Sequence, residues 1–223
     1  MMRPRVTLCF AQTLDGRVAA VDGSSQWISG SESLRFCHYL RANSDAIMVG
    51  IGTVLRDNPR LTTRLVKGPD PLRVIVDTHL RTPLHAAVIR DGAAHGTVLA
   101  CTAAATDERR AELQACGATI LTLPEAAGGG VDLAALLAAL SERGIATVMV
   151  EGGSRVITSL LRAKLVDAVA ITIAPLILGS GPTAIGDLGI PTLSQALKFA
   201  NPTWTPCGVD VVLEGELVYE STK

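Results

Sequence analysis

At one point in the chain a carboxylate, two glycines and a hydroxyl follow one another: Glu151, Gly152, Gly153 and Ser154, in the run ATVMVEGGSRV. Glycines let backbone approach a ligand closely, and the N–H groups that open a helix bind anions, so Gly152, Gly153 and Ser154 suit a pyrophosphate. A tight turn accounts for the glycine pair nearly as well. Glu151 tips the balance, because a carboxylate at the carboxyl end of a central parallel strand lies where α/β sheets bind ligands. Arg41, Asp57 and Arg64 each sit at the edge of a segment, where a side chain can turn toward a cleft. Singly, each reads more readily as a solvated surface charge. Two arginines brought together would grip a phosphate through forked, charge-assisted hydrogen bonds, and only the fold decides whether Arg41 and Arg64 meet.

Other patterns narrow the chemistry. GIGTV, from Gly50 to Val54, follows a strand and opens a helix. It lacks the third glycine of the GxGxxG fingerprint and the acidic residue that should come later. Neither a GxxxxGK[ST] phosphate loop nor a GxSxG nucleophile turn occurs. His38, His79, His85 and His95 form no HxH or HExxH arrangement, and the neighbours Cys37 and His38 point in different directions on a helix or strand. No metal site is expected, and each histidine reads as a surface or core residue. Five cysteines (Cys9, Cys37, Cys101, Cys116 and Cys207) are odd in number and lack a CxxC pair, which argues against a disulfide framework and fits a reducing compartment.

The elements that must position these residues alternate. RVTLCFAQ (5–12) reads as an opening strand, followed by a long glycine-rich loop with turns at Asp15-Gly16 and Asp22-Gly23. Ser31 is expected to cap a helix over 32–42, with DAIMVG as a buried strand and then a short helix that Pro59 ends. Further strands are predicted at 72–77, 97–101, 118–123, 146–150 and 167–173, with a helix at 106–116. VDLAALLAALSERG puts Leu133, Leu136, Leu137 and Leu140 on one helical face and stops at Gly144. Another helix follows the EGG turn. The segment 179–191 is a loop, and VDVVLEGELVYE either bends at Gly215 or forms an antiparallel edge. This βαβ alternation predicts an α/β fold with a mainly parallel sheet flanked by helices.

Composition sets the frame. A chain of 223 residues suits one α/β domain, and 48% hydrophobic with 18% charged residues fills a core rather than a disordered chain. The net charge is −1 and basic runs do not exceed an arginine pair, so the footprint of a nucleic-acid binder is missing and a small molecule is the better partner. Gln12 and Asp15 interrupt the N-terminal apolar stretch before a signal-peptide core forms. AVAITIAPLILG is too short to span a bilayer. No membrane association is expected, and the cytoplasm is the expected compartment.

The ordered series TLDGRVA, SSQWISG, LRANSDAIMVGIGTVLRDNPRLTTR, PLRVIVDTHLRTP, VMVEGGSRV and LVDAVAITIAPLILG closely resembles the reductase domain of riboflavin biosynthesis. Six motifs in order, over nearly the whole chain, make the resemblance specific. It implies a dihydrofolate-reductase-like fold, a homodimer, and NADPH as hydride donor for a phosphorylated ribosylaminopyrimidine that is reduced at C1′ to a ribitylamine. The resemblance assigns Ser25, Arg41, Leu61, Arg64 and Glu151 to the substrate, with the two arginines as phosphate clamp. It assigns Ala11, Trp27, Thr53, Asp57 and Thr78 to the cofactor, and Gly153, Ser154, Arg155, Val156, Ile157, Thr158 and Ser159 to its pyrophosphate. Asp57 or Glu151 would stabilise the protonated imine formed as the sugar opens, which makes them the catalytic pair.

Cys9 departs from the pattern: many bacterial two-domain members carry a lysine there, and a thiol cannot replace that charge. The HxE and PCxxC motifs of the zinc deaminase half do not occur, since Pro206-Cys207 is followed by Gly208-Val209-Asp210. An aminouracil and a diaminopyrimidinone both remain open as substrates. A pterin or specialised-metabolite reductase, and a non-catalytic nucleotide-binding paralogue, are the rival readings.

Overall fold

The computed structural model describes residues 3–219, so Glu220, the last residue of the alternating C-terminal segment, lies outside the described residues. The strands are β1 (Arg5–Thr13), β2 (Ala46–Gly50), β3 (Leu72–Val76), β4 (Thr97–Cys101), β5 (Thr119–Thr122), β6 (Thr147–Gly152), β7 (Ala168–Ala174), β8 (Lys198–Cys207) and β9 (Asp210–Val218), of which β2 and β4 are continuous apolar runs buried on both faces. They join one sheet in the order β5-β4-β3-β2-β6-β1-β7-β9-β8. Strands β1 to β7 pair in parallel, and β9 runs antiparallel to both β7 and β8. The mainly parallel sheet with an antiparallel C-terminal region is therefore as expected.

The period of two sorts side chains onto opposite faces. Val6, Leu8, Met48, Val74, Val148 and Val150 point to one face, covered by α4 (Leu133–Ser141) and α5 (Ser154–Arg162). Leu133, Leu136, Leu137 and Leu140 are all buried there, each worth roughly 1.5–3 kcal/mol, and Asp132 caps α4 by accepting from the N–H groups of Ala134 and Ala135. On the other face Ile47, Val49, Ile75 and Leu99 pack with residues of α2 (Ile51–Asp57) and α3 (Asp107–Ala115). Cys9, Met149 and Ala170 pack with Phe36, Cys37 and Leu40 of α1 (Ser31–Ala42). No helix among the described residues is long and apolar enough to cross a membrane.

Two expectations need correction. Ser31 is the first helical residue of α1 rather than its cap; Gly30 occupies that position. The capping acceptor comes from the far end of the chain: Asp210, 2% exposed, takes the Gly30 N–H at 2.8 Å and the Ser33 hydroxyl at 2.6 Å. The Ser31 hydroxyl instead donates to Glu32. Second, the C-terminal alternating segment is not the sheet edge. It lies between β7 and the unforeseen strand β8, which forms the edge and carries Pro202 and Pro206, residues compatible with an edge position.

Candidate active site

The order of the sheet singles out the carboxyl end of β6. From β2 the chain builds outward through β3, β4 and β5, then returns to insert β6 between β2 and β1, and such reversals open a crevice at the strand ends. Met48 pairs with Val150 but Val49 pairs with Gly152, so Glu151 is an extra, bulged residue on β6. Bulges re-aim a side chain and recur beside sites. Glu151 lies two positions beyond Met149, on the α1 side of the sheet, and there it meets α1.

Arg41, in the last turn of α1, grips both oxygens of that carboxylate: Nε donates to Oε1 at 2.5 Å and Nη2 to Oε2 at 2.6 Å. The Cys37 thiol, one helical turn earlier, donates to Oε1 at 3.4 Å. Both charged side chains are close to nine-tenths covered. Burial alone would lower the Arg41 pKa, but the charge and hydrogen bonds of Glu151 outweigh it and hold the guanidinium above the ordinary arginine value. A hydrogen bond with Cys9 and burial push the Cys37 thiol well above its usual value, so it stays protonated at neutral pH.

The two arginines do converge, on the backbone. The Thr62 carbonyl accepts from Arg41 Nη1 at 3.0 Å and from Arg64 Nη1 at 3.2 Å, and Arg64 Nη1 also donates to the Thr62 hydroxyl at 2.8 Å. Glu151 neutralises Arg41, whereas Arg64 has no carboxylate within ion-pair distance among the described residues. Desolvation and the like charges of Arg41 and Arg60 draw the Arg64 pKa down. A local surplus of positive charge of this kind favours an anion.

Beside Glu151 two strand-to-helix turns lie back to back. Gly153 has φ +90, and a Cβ there would sit 3.0 Å from the Gly50 nitrogen, so only glycine lets the β6–α5 turn approach the β2–α2 turn this closely. The start of α5 carries no side-chain cap, which leaves its first N–H groups for a ligand. The Thr53 hydroxyl on α2 lies against Gly152, 3.2 Å from where a Cβ would stand.

The other expected residues distribute around this edge. Ala11 belongs to β1 and Thr78 follows β3, where the 77–82 turn is tied down by Asp77 accepting from Thr82 and by Arg109 donating to the Leu80 and Thr82 carbonyls. Asp57 ends α2, keeps an exposed surface, and forms no hydrogen bond or ion pair among the described residues; partial desolvation by its neighbours raises its pKa while Arg56 opposes the rise. Ser25 and Trp27 lie in the loop before α1, Trp27 being 66% exposed. Leu61 is buried in the core with φ +54, so it shapes the 61–64 turn and offers a ligand backbone more than side chain. Val156 and Ile157 face the core, Ser154, Arg155 and Ser159 face outward, and the Thr158 hydroxyl binds the Ser154 carbonyl and the Gly186 N–H. Of the sequence-predicted residues, Arg41, Arg64 and Glu151 thus form one connected group and Thr53 with Gly153 another. Asp57 is bonded to neither.

Cys37, His38 and the Thr62 carbonyl were missed. The available signal was helical spacing: positions 37, 38 and 41 lie on adjacent rows of one helix, which brings Cys37 to the same carboxylate as Arg41 and His38 to the backbone of Arg64.

Residues 4–213 match the model of the RibD C-terminal domain. The chain is 42% identical over 218 residues to the 2,5-diamino-6-ribosylamino-4(3H)-pyrimidinone 5′-phosphate reductase of Methanothermobacter thermautotrophicus, covering 96% of this chain and 98% of that protein. It is 38% identical over 212 residues to the riboflavin biosynthesis protein RibD of Aquifex aeolicus, covering 95% of this chain but only 57% of that longer protein. Among solved structures, the Saccharomyces riboflavin biosynthesis reductase Rib7 superposes with a TM-score of 0.76 at 30% identity, covering 98% of this chain and 91% of its own. The dihydrofolate reductase of Enterococcus faecalis shares the fold, with a TM-score of 0.52 at 14% identity over 96% and 95% of the two chains. On the match over residues 4–213 and these relatives, the chain belongs to the RibD C-terminal domain family.

Proposed function

We propose that the chain is a nicotinamide-dependent reductase of riboflavin biosynthesis, with NADPH as donor and 2,5-diamino-6-ribosylamino-4(3H)-pyrimidinone 5′-phosphate as substrate. The observation that carries the reading is the Glu151–Arg41 pair standing at the bulged end of β6, beside the uncapped glycine turn and joined through the Thr62 carbonyl to Arg64, which has no ion pair among the described residues. The relative bearing that substrate's name is matched over nearly its full length, which supports this pyrimidine ahead of the aminouracil.

The residues fit a dinucleotide. The Gly153 turn is too narrow for a side chain, and the uncapped N–H groups of α5 are suited to a pyrophosphate, with Thr53 against Gly152. When bound, a reduced nicotinamide supplies the hydride that C1′ of the substrate receives. Arg64 binds the 5′-phosphate, and Arg41, fixed by Glu151, holds the Thr62 carbonyl that orients Arg64. Ring opening breaks the C1′–O bond, places a proton on the sugar oxygen and leaves an iminium at C1′. The sugar oxygen takes its proton from water; Glu151 has its charge matched by Arg41, so Asp57, which forms no ion pair among the described residues, is the carboxylate free to face the cation. The homodimer implied by the family has a candidate surface in the exposed β8–β9 face, where Trp204 is 58% exposed.

The test is oxidation of NADPH, with NADH in parallel, on the diaminopyrimidinone phosphate, the aminouracil phosphate and a dihydropterin. Turnover of the first with NADPH is the expected result. Turnover of the aminouracil alone transfers the reading to the second substrate, and turnover of the pterin alone overturns the phosphate clamp.

A further inference from the structure

Within the turn at 61–64, three backbone polar groups have partners supplied from outside it: the Thr62 carbonyl, the Thr63 N–H and the Arg64 N–H. Leu61 sits in the left-handed region at φ +54, an unfavourable conformation for a branched side chain, and is anchored in the core at 2% exposure. The Thr62 carbonyl is held by Arg41 and Arg64, and the Thr63 N–H donates to Asp70 at 2.7 Å. The Arg64 N–H donates to Nδ1 of His38 at 2.9 Å. His38 is 5% exposed on α1, three residues before Arg41.

We infer that His38 is a positioning residue for substrate binding: its Nδ1 fixes the backbone of Arg64 and so sets where the guanidinium meets a phosphate. This rests on the reading of Arg64 as the clamp. The bond requires a bare Nδ1, so the imidazole is neutral with its proton on Nε2. Neutrality matters because the charged groups facing this ring are Arg41, Arg64 and Glu151. A third cation would repel the two arginines, and a carboxylate would compete with the ligand for Arg64. Burial first, and then the charges of Arg41 and Arg64, hold the His38 pKa down at about 4, with Glu151 opposing them. The helix thus contributes a bulky, uncharged acceptor one turn from a charged donor, and the two together pin both ends of the 62–64 segment to α1.

The experiment compares His38→Leu, which fills the space without an acceptor, His38→Asn, whose Oδ1 stands near the place of Nδ1, and Arg64→Ala. For each, kcat and KM are measured with NADPH on the diaminopyrimidinone ribosylamine with and without its 5′-phosphate. Expected is a KM about 10-fold higher for the phosphorylated substrate in His38→Leu, with kcat little changed and the preference for phosphate reduced, and recovery in His38→Asn. If Arg64→Ala loses the preference but His38→Leu keeps it, or His38→Asn restores nothing, the role of His38 is overturned. Equal losses on both substrates also overturn it, as they mark a structural role. If Arg64→Ala itself keeps the preference, the clamp reading fails, and that variant alone reveals it. Should His38→Leu not fold, His38→Asn against His38→Gln makes the same comparison, since glutamine carries the acceptor one bond further out.

Discussion

Arg41 and Glu151 stand 110 positions apart in the chain, and their side chains lock together through two parallel hydrogen bonds of 2.5 and 2.6 Å. The helix supplies a planar fork and the bulge at the end of β6 supplies a carboxylate turned to meet it. Holding the two charges in this geometry rigidifies the crevice edge but removes Glu151 as an unpaired charge. The proposed function accordingly makes Glu151 an organiser, Arg64 the anion receptor and Asp57 the carboxyl group that faces the reacting carbon.

Removing one partner of this pair should be costly. Glu151→Gln leaves a guanidinium whose side chain is only 11% exposed without its counterion, at an expected cost of about 3–5 kcal/mol. Urea unfolding checks this, and Glu151→Gln combined with Arg41→Met should recover stability without recovering turnover.

Asp57→Asn should lower kcat by about 10²–10⁴-fold while leaving NADPH affinity nearly unchanged. Its effect on stability has the opposite sign. Partial desolvation raises the Asp57 pKa in the folded state, so the group's favourable contribution is complete at acid pH and is lost as pH rises through the folded value. The variant should therefore melt no lower than the wild type at neutral pH, as thermal melts across pH would show.

Arg64→Ala removes an arginine that shares the Thr62 carbonyl with Arg41 and has no carboxylate within ion-pair distance among the described residues. Affinity for the phosphorylated pyrimidine should fall by about 1.5–3 kcal/mol, the worth of a hydrogen bond to a charged group. Calorimetry with inorganic phosphate as competitor should show displacement in the wild type and none in the variant.

Gly153→Ala combines φ +90 with a Cβ 3.0 Å from the Gly50 nitrogen. The strain should cost on the order of 1–3 kcal/mol of stability, and separation of the two turns should weaken NADPH binding in a direct calorimetric titration. Retained affinity would place the pyrophosphate elsewhere.

Stability should also fall in acid through His38. Unfolded, the imidazole titrates near its ordinary 6.5; folded, burial and the neighbouring arginines hold it at about 4. Between those values the unfolded chain binds more protons, so stability declines as pH falls from about 6.5 towards about 4 and is flat below. In His38→Asn that part of the decline should vanish from urea midpoints measured across the range.

By itself the sequence determined the strands and helices whose signal is local. The short apolar runs of β1, β2 and β7, the leucine stripe of α4 and the glycine turn after β6 are each written within a dozen residues, where run length, helical period and turn are direct consequences of backbone geometry. It also marked Glu151, Arg41 and Arg64 as candidates. β8 escaped because an exposed edge strand buries neither face and so shows no alternation, and its two prolines read as breaks. Only the tertiary structure decided that Arg41 faces Glu151 and Arg64 does not, that His38 accepts from Arg64, and that Asp210 caps α1 across 180 positions. Those relationships depend on which strand lies beside which and on a bulge one residue long. Neither leaves a periodic trace in the chain, because the partners are brought within bonding distance only when the sheet is assembled.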